Sequence, residues 1–218
     1  MPISEIVTVG IQKVSGLFPK CRVFRKAPGN LAADTVEISG ARFSPLKQEL
    51  MEKARAYAEE FGAEELYIID RNGEVLNLNA TRNREYVDVH SINGIKFEIA
   101  KDFLINGTLI HSHPVPIPLS GGDICCMIEN QLDEIIATTS SGFSSLRRKL
   151  NLSLKKDECL MAANIIGLKQ KIKKDELGLD FYAKEIAHEK LEEYSQFSIK
   201  LLDDFANKFG FKFEHQGF

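Results

Sequence analysis

No stretch of this sequence approaches the roughly 18 apolar residues that a membrane-spanning helix needs. The opening MPISEIVTVG also lacks the basic segment and long apolar run of a secretory leader, so a cytoplasmic chain is expected. Cysteine is scarce: Cys21, Cys125, Cys126 and Cys159 form no CxxC pair, and two of the four are adjacent. That pattern suits neither a disulfide framework nor a zinc knuckle, and predicts buried free thiols in a reducing compartment. A formal net charge of −3 supplies no global basic field to attract nucleic acid. No internal repeat is present, which sets aside solenoid and propeller arrays.

What remains is an ordinary globular composition. With 218 residues, 44% hydrophobic and 27% charged, the chain can bury one substantial domain, or a domain with an extension. Ile6, Val7, Val9 and Ile11 fit a strand or the start of a helix, and Cys21–Phe24 fits a short strand. Ser44 followed by Pro45 predicts a helix through about Phe61, with Gly62 ending it. Glu64–Ile69 reads as a strand. Asp70-Arg71-Asn72-Gly73 then carries the Asn-Gly hairpin signal, with Glu74–Asn79 returning. Tyr86–Ile92 alternates like a strand, Phe97–Phe103 reads as a short helix, and Thr108–His113 is β-prone. Ser120 opens a helix to about Leu132, and Glu134–Thr139 with Ser144–Arg148 form a further hairpin. Two proline-free runs, 154–174 and 178–209, read as helices, the second amphipathic. The expectation is an α/β domain over 1–150 and a helical extension over 151–218.

The chemistry concentrates in His111-Ser112-His113-Pro114-Val115-Pro116-Ile117-Pro118-Leu119-Ser120-Gly121-Gly122-Asp123. Residues two apart on a strand point to the same face, so the two imidazoles can converge on one metal ion. Three prolines stiffen the excursion that follows. Asp123 falls in the first turn of the next helix, where its carboxylate can swing back toward the histidines. Two histidines and one carboxylate leave a coordination position open, as in catalytic rather than structural zinc sites. A carboxylate outside the ligand set would then serve as the base that takes a proton from water.

His-x-His-Pro followed by Ser-x-x-Asp resembles the signature of the JAMM (MPN-type, JAB-like) zinc metallopeptidases in their prokaryotic or phage-type branch. The resemblance covers roughly residues 44–148 and implies a central mixed β-sheet flanked by helices. It assigns Zn2+ to His111, His113 and Asp123, and it gives Ser120 the role of stabilising the tetrahedral intermediate. The family's catalytic glutamate lies on an earlier strand, where Glu64 and Glu65 are the candidates. They alternate across the sheet, so only one can face the metal. Related sequences place it six residues before the aspartate that begins the turn, here Asp70, which favours Glu64. The chain departs from the pattern in one respect: Pro114–Leu119 is one residue shorter than the usual connection between the second histidine and the serine. A connecting loop can absorb a deletion without moving its ends, or the deletion can draw Asp123 out of ligand range.

Two leading functions follow. The first is a zinc-dependent peptidase or isopeptidase acting on a peptide or a ubiquitin-like protein. The second is a catalytically inactive JAMM-like binding or assembly module. A nucleic-acid role ranks last, resting only on nine Lys and Arg residues between Arg147 and Lys174 against Asp157 and Glu158. His90, His188 and His215 read as surface or packing residues, and Cys125 and Cys126 as helix packing rather than ligands.

Overall fold

The computed structural model describes residues 23–24, 36–38, 41–77, 91–92, 95–96, 104–149 and 155–217, the last without 182, 184 and 185. The expectations for residues 3–22, 86–90 and 97–103, and for His90, lie outside the described residues. In chain order the elements are β1 (Val23–Phe24), β2 (Val36–Ile38), β3 (Ala41–Phe43), α1 (Pro45–Phe61), β4 (Leu66–Ile69) and β5 (Val75–Asn77). They continue with β6 (Ser91–Ile92), β7 (Ile95–Lys96), β8 (Thr108–Ser112), α2 (Gly121–Glu129), β9 (Glu134–Thr138) and β10 (Phe143–Arg148). Helices α3 (Lys156–Leu177) and α4 (His188–Phe209) and strand β11 (Phe211–Gln216) complete the chain. Among the described residues no helix is long and apolar enough to cross a membrane.

The local signals act as their chemistry predicts. The Ser44 hydroxyl accepts the Lys47 N–H at the start of α1, and Gly62 leaves the helix in the left-handed region at φ 59°. In the β4–β5 turn, Asp70 Oδ1 accepts the N–H groups of Asn72 and Glu74, and Gly73 takes φ 83°.

The sheet is mixed, in the order β1-β5-β4-β8-β9-β10-β11. Every neighbouring pair is antiparallel except β8 with β9. Parallel neighbours need a crossover, and α2 provides it. Each face carries its own core. Leu50, Met51 and Ala54 of α1 cover Tyr67, Ile69, Val75, Ile110, Ile136 and Phe143. On the opposite face Leu66, Ile68, Leu109, Ile135 and Leu146 pack with Ile124 and Met127 of α2, Ala163 and Ile166 of α3, and Leu202 and Phe205 of α4. At the α1-covered side the buried Glu134 carboxylate is met by both Lys47 and Arg147.

The C-terminal part departs from the expected helical extension. Its second helix begins at His188, not near 178, and Gly178 instead closes α3 in the left-handed conformation. After Gly210 the chain turns into β11, which pairs along all of β10 and extends the sheet. The alternation of Phe211, Phe213 and His215 with Lys212, Glu214 and Gln216 was its period-two signal. Residues 156–216 therefore contribute a strand and two helices to the same layers as the earlier part.

Helix α3 crosses α2 at van der Waals contact of backbone. A Cβ added to Gly121 would sit 2.4 Å from the Ala163 carbonyl oxygen and 2.4 Å from the Gly167 nitrogen, whereas one at Gly167 would meet nothing nearer than 3.7 Å. Gly121→Ala is expected to destabilise the fold by about 1–3 kcal/mol through overpacking. Gly167→Ala, inside a helix, should be neutral or stabilising by up to about 1 kcal/mol. Urea unfolding of the two variants checks the contrast, and equal effects would refute the crossing geometry.

Candidate metal centre

The site forms where the C-terminal end of β8 meets the N-terminus of α2, a crevice of the kind that crossovers create beside parallel strands. His111 lies within β8. His113 is one residue past it, still tied to β9 through its N–H to the Thr138 carbonyl (2.9 Å). Period two puts both imidazoles on the α2-covered face. Their Nε2 atoms stand 2.9 Å apart. Asp123 Oδ1 lies 3.3 Å from His111 Nε2, and Oδ2 lies 3.8 Å from His113 Nε2. Ligand atoms around a tetrahedral divalent ion with bonds of about 2.0–2.1 Å are about 3.3 Å apart, so this spacing suits a metal. Among the described residues this is the one group of three or more His, Cys, Asp or Glu side chains close enough to hold an ion.

Each ligand is oriented by its own support. His113 Nδ1–H donates to the Ile117 carbonyl (3.0 Å). A carbonyl only accepts, so the neutral ring presents its lone pair at Nε2. Asp123 Oδ2 accepts both the Ser120 N–H (2.6 Å) and the Ser120 hydroxyl (2.8 Å), which turns Oδ1 toward His111. The Ser120 oxygen in turn accepts the Asp123 N–H, closing a capping box. The short loop thus leaves Asp123 beside both histidines. Leu119 N–H donates to Ser144 Oγ (2.9 Å), which fixes the loop's end to β10.

Burial makes the cluster electrostatically demanding. His111 and His113 are 4% and 7% exposed. Burial would lower the His111 pKa, but the charge and hydrogen bond of Asp123, with the charge of Glu64, raise it above its usual 6.5. Burial, then the neighbouring His111, lowers His113 to about 4. Burial opposes ionisation of Asp123, yet His111 and His113 hold its carboxyl far below the ordinary carboxylate range. Two imidazole nitrogens facing each other beside a carboxylate need a positive centre between them, a proton or a metal ion. His111 Nδ1 is buried and makes no normal hydrogen bond, although the Ile136 carbonyl lies nearby. A ligating His111 Nε2 would put the proton on that Nδ1, toward this acceptor.

The two glutamates fall on opposite faces. Leu66 pairs with His111 in the β4–β8 register, and the pairing runs on through the Ser112 N–H to the Glu65 carbonyl (3.0 Å). Alternation puts Glu64 on the histidine side. The half-buried Glu64 adds its charge to the field at His111. Glu65 is buried on the α1-covered side, where its carboxylate accepts from Asn77 and contacts Tyr67. Of the remaining candidates, His188 and His215 are exposed on α4 and β11. Burial, with Glu129 and Asp123, raises the Cys125 thiol, so it offers no thiolate.

Several supporting residues were not singled out from the sequence. Gln170 of α3 accepts the Gly121 N–H (2.9 Å) and donates to the Leu119 carbonyl (3.1 Å), clamping the start of the ligand-bearing helix. Ser195 of α4 donates to the Pro116 carbonyl. Burial, with the Asp123 charge adding to it, raises the neighbouring Tyr194 hydroxyl. Gln170 carried no local signal, because its partners are about fifty residues away in the chain. No family model, curated protein or solved structure matches this chain.

A divalent metal should bind at about one ion per chain, and binding should be abolished in a His111→Ala/His113→Ala variant, as elemental analysis will test. Free metal at about 100 times its dissociation constant should stabilise the native protein by about 2.7 kcal/mol and the variant not at all. In the metal-free protein the lowered His113 contributes stability that is complete above pH 6.5 and declines as pH falls toward about 4. His111, with its raised pKa, acts with the opposite sign, its stabilisation being complete only below pH 6.5. Unfolding midpoints should therefore fall as pH drops from 6 to 4, and less steeply in His113→Gln.

Proposed function

We propose that the chain is a zinc-dependent peptidase or isopeptidase of the JAMM type, acting on a peptide or ubiquitin-like protein in the cytoplasm. The observation that carries this reading is the convergence of His111, His113 and Asp123 into a three-ligand set with Glu64 on the same side of the sheet. Three protein ligands are the number that leaves zinc a position for reactants. Zinc held there would supply Lewis-acid polarisation of a carbonyl and acidification of water.

The chain's own residues divide the remaining work. Glu64 takes a proton from the attacking water and delivers it to the leaving amine as the C–N bond breaks, so the carboxylate is regenerated. His113, through its Ile117 bond, and Asp123, through Ser120, keep their ligand atoms aimed without rearrangement. Ser120 has a hydroxyl donating to Asp123 Oδ2, so its first role is to orient that ligand. To stabilise an oxyanion it must rotate that proton toward substrate.

A second reading, an inactive JAMM-like binding or assembly module, draws on the near-complete burial of both imidazoles and on the Ser195 contact to the Pro116 carbonyl over the loop. A nucleic-acid role is weaker still. Four of the nine basic residues between Arg147 and Lys174 engage carboxylates: Arg147, Arg148, Lys155 and Lys173.

Glu64→Gln separates the first two readings. Zinc content should be unchanged while cleavage across a panel of peptides and ubiquitin-like conjugates falls by about 10²–10⁴-fold. Wild-type cleavage that survives in Glu64→Gln would remove Glu64 as the base. A zinc-loaded wild type without activity on any member of the panel would favour the module.

A further inference from the structure

Helix α3 is apolar on two opposite faces. Cys159, Ala163, Ile166 and Gln170 turn inward, whereas Met161, Ile165, Leu168 and Ile172 are 63%, 45%, 61% and 57% exposed. At about 3.6 residues per turn the outer four form a single stripe opposite the inner four. A surface helix of a globular domain needs only the inward stripe. The outer spacing of four, three and four residues is that of a heptad seam, with isoleucine at both a positions and methionine and leucine at the d positions. Glu158 and Asp175, the next a and d positions, close the seam with charge at each end. At Ile172 the apolar surface continues into a groove shared with Phe197 and Leu201 of α4.

We propose that this stripe pairs with the same stripe of a second copy of the chain, the two α3 helices lying parallel about a two-fold axis. Within a parallel pairing, isoleucine at a with leucine at d favours two strands over three or four. The flanking charges fit that direction. In a parallel pair, Lys171 at g faces Glu176 at e of the second copy, and symmetry makes the contact twice. Both residues are exposed. Glu158 and Asp175 close the seam with carboxylates in either direction, against their own copies in a parallel pair and against each other in an antiparallel one, so the flanking Lys171–Glu176 contact is the feature to test. The seam runs over twelve residues, about 17 Å of helix, which makes the dimer reversible rather than obligate.

Sedimentation velocity on the full chain from about 1 to 200 µM tests the pairing. A monomer–dimer equilibrium is expected, and Leu168→Glu should raise the dissociation constant at least about 100-fold. Because Leu168 is exposed, its circular dichroism and unfolding midpoint should stay those of the wild-type monomer. Lys171→Glu should weaken the dimer, and Lys171→Glu/Glu176→Lys should restore it. A chain that stays monomeric throughout, or a dimer indifferent to Leu168→Glu, overturns the proposal and leaves the stripe to a different protein. A dimer lost in Leu168→Glu but not rescued by the charge swap overturns the parallel arrangement.

Discussion

The backbone contact between Gly121 and the Ala163–Gly167 turn of α3 is the constraint on which the rest of the site depends. Helix α2 is only nine residues long, too short to be stable by itself. Its first turn is therefore held from outside. Gln170 takes the amide of Gly121 and the carbonyl of Leu119, Ser144 takes the amide of Leu119, and the absent Cβ of Gly121 lets α3 come close enough for those bonds. Asp123, two residues further on, inherits its position from that docking. Its distance from His111 is a tertiary quantity expressed at a local capping box.

The residues after 155 are thus structural partners of the site. Helix α3 clamps the ligand-bearing helix, α4 reaches the proline-rich loop through Ser195, and β11 closes the edge of β10 that an open sheet would expose. Building this candidate ligand set from a strand end and a helix start costs burial of two imidazoles and a carboxylate. The same burial ties each partner's charge state to the others.

Helix α3 has two faces with separate roles. The inner face uses small residues and one amide because α2 must approach closely. The outer face uses large aliphatic residues, which suit packing against another helix rather than water. A helix so divided has weak amphipathicity, which is why its sequence predicts a helix readily and says little about which side is inside.

Much of the framework was legible in the residues. The Ser44–Gly62 helix, the Asn72-Gly73 turn and the β9–β10 hairpin each rest on interactions within a few positions, and each formed nearly as expected. The sharing of a face by His111 and His113 follows from the period of a strand, and the proximity of Ser120 to Asp123 from the period of a helix. Those periods determined the candidate ligands before any fold was known. They could not determine which glutamate joins them, because Glu64 and Glu65 differ only in parity. The parity is set by the antiparallel register of β4 against β8, forty-five residues apart at Leu66 and His111. The late start of α4, the pairing of β11 with β10 and the Gln170 clamp share that property. Short-range periodicity is written in neighbouring residues, whereas register and docking are chosen by the burial of segments far apart in the chain, and only the folded structure decides them.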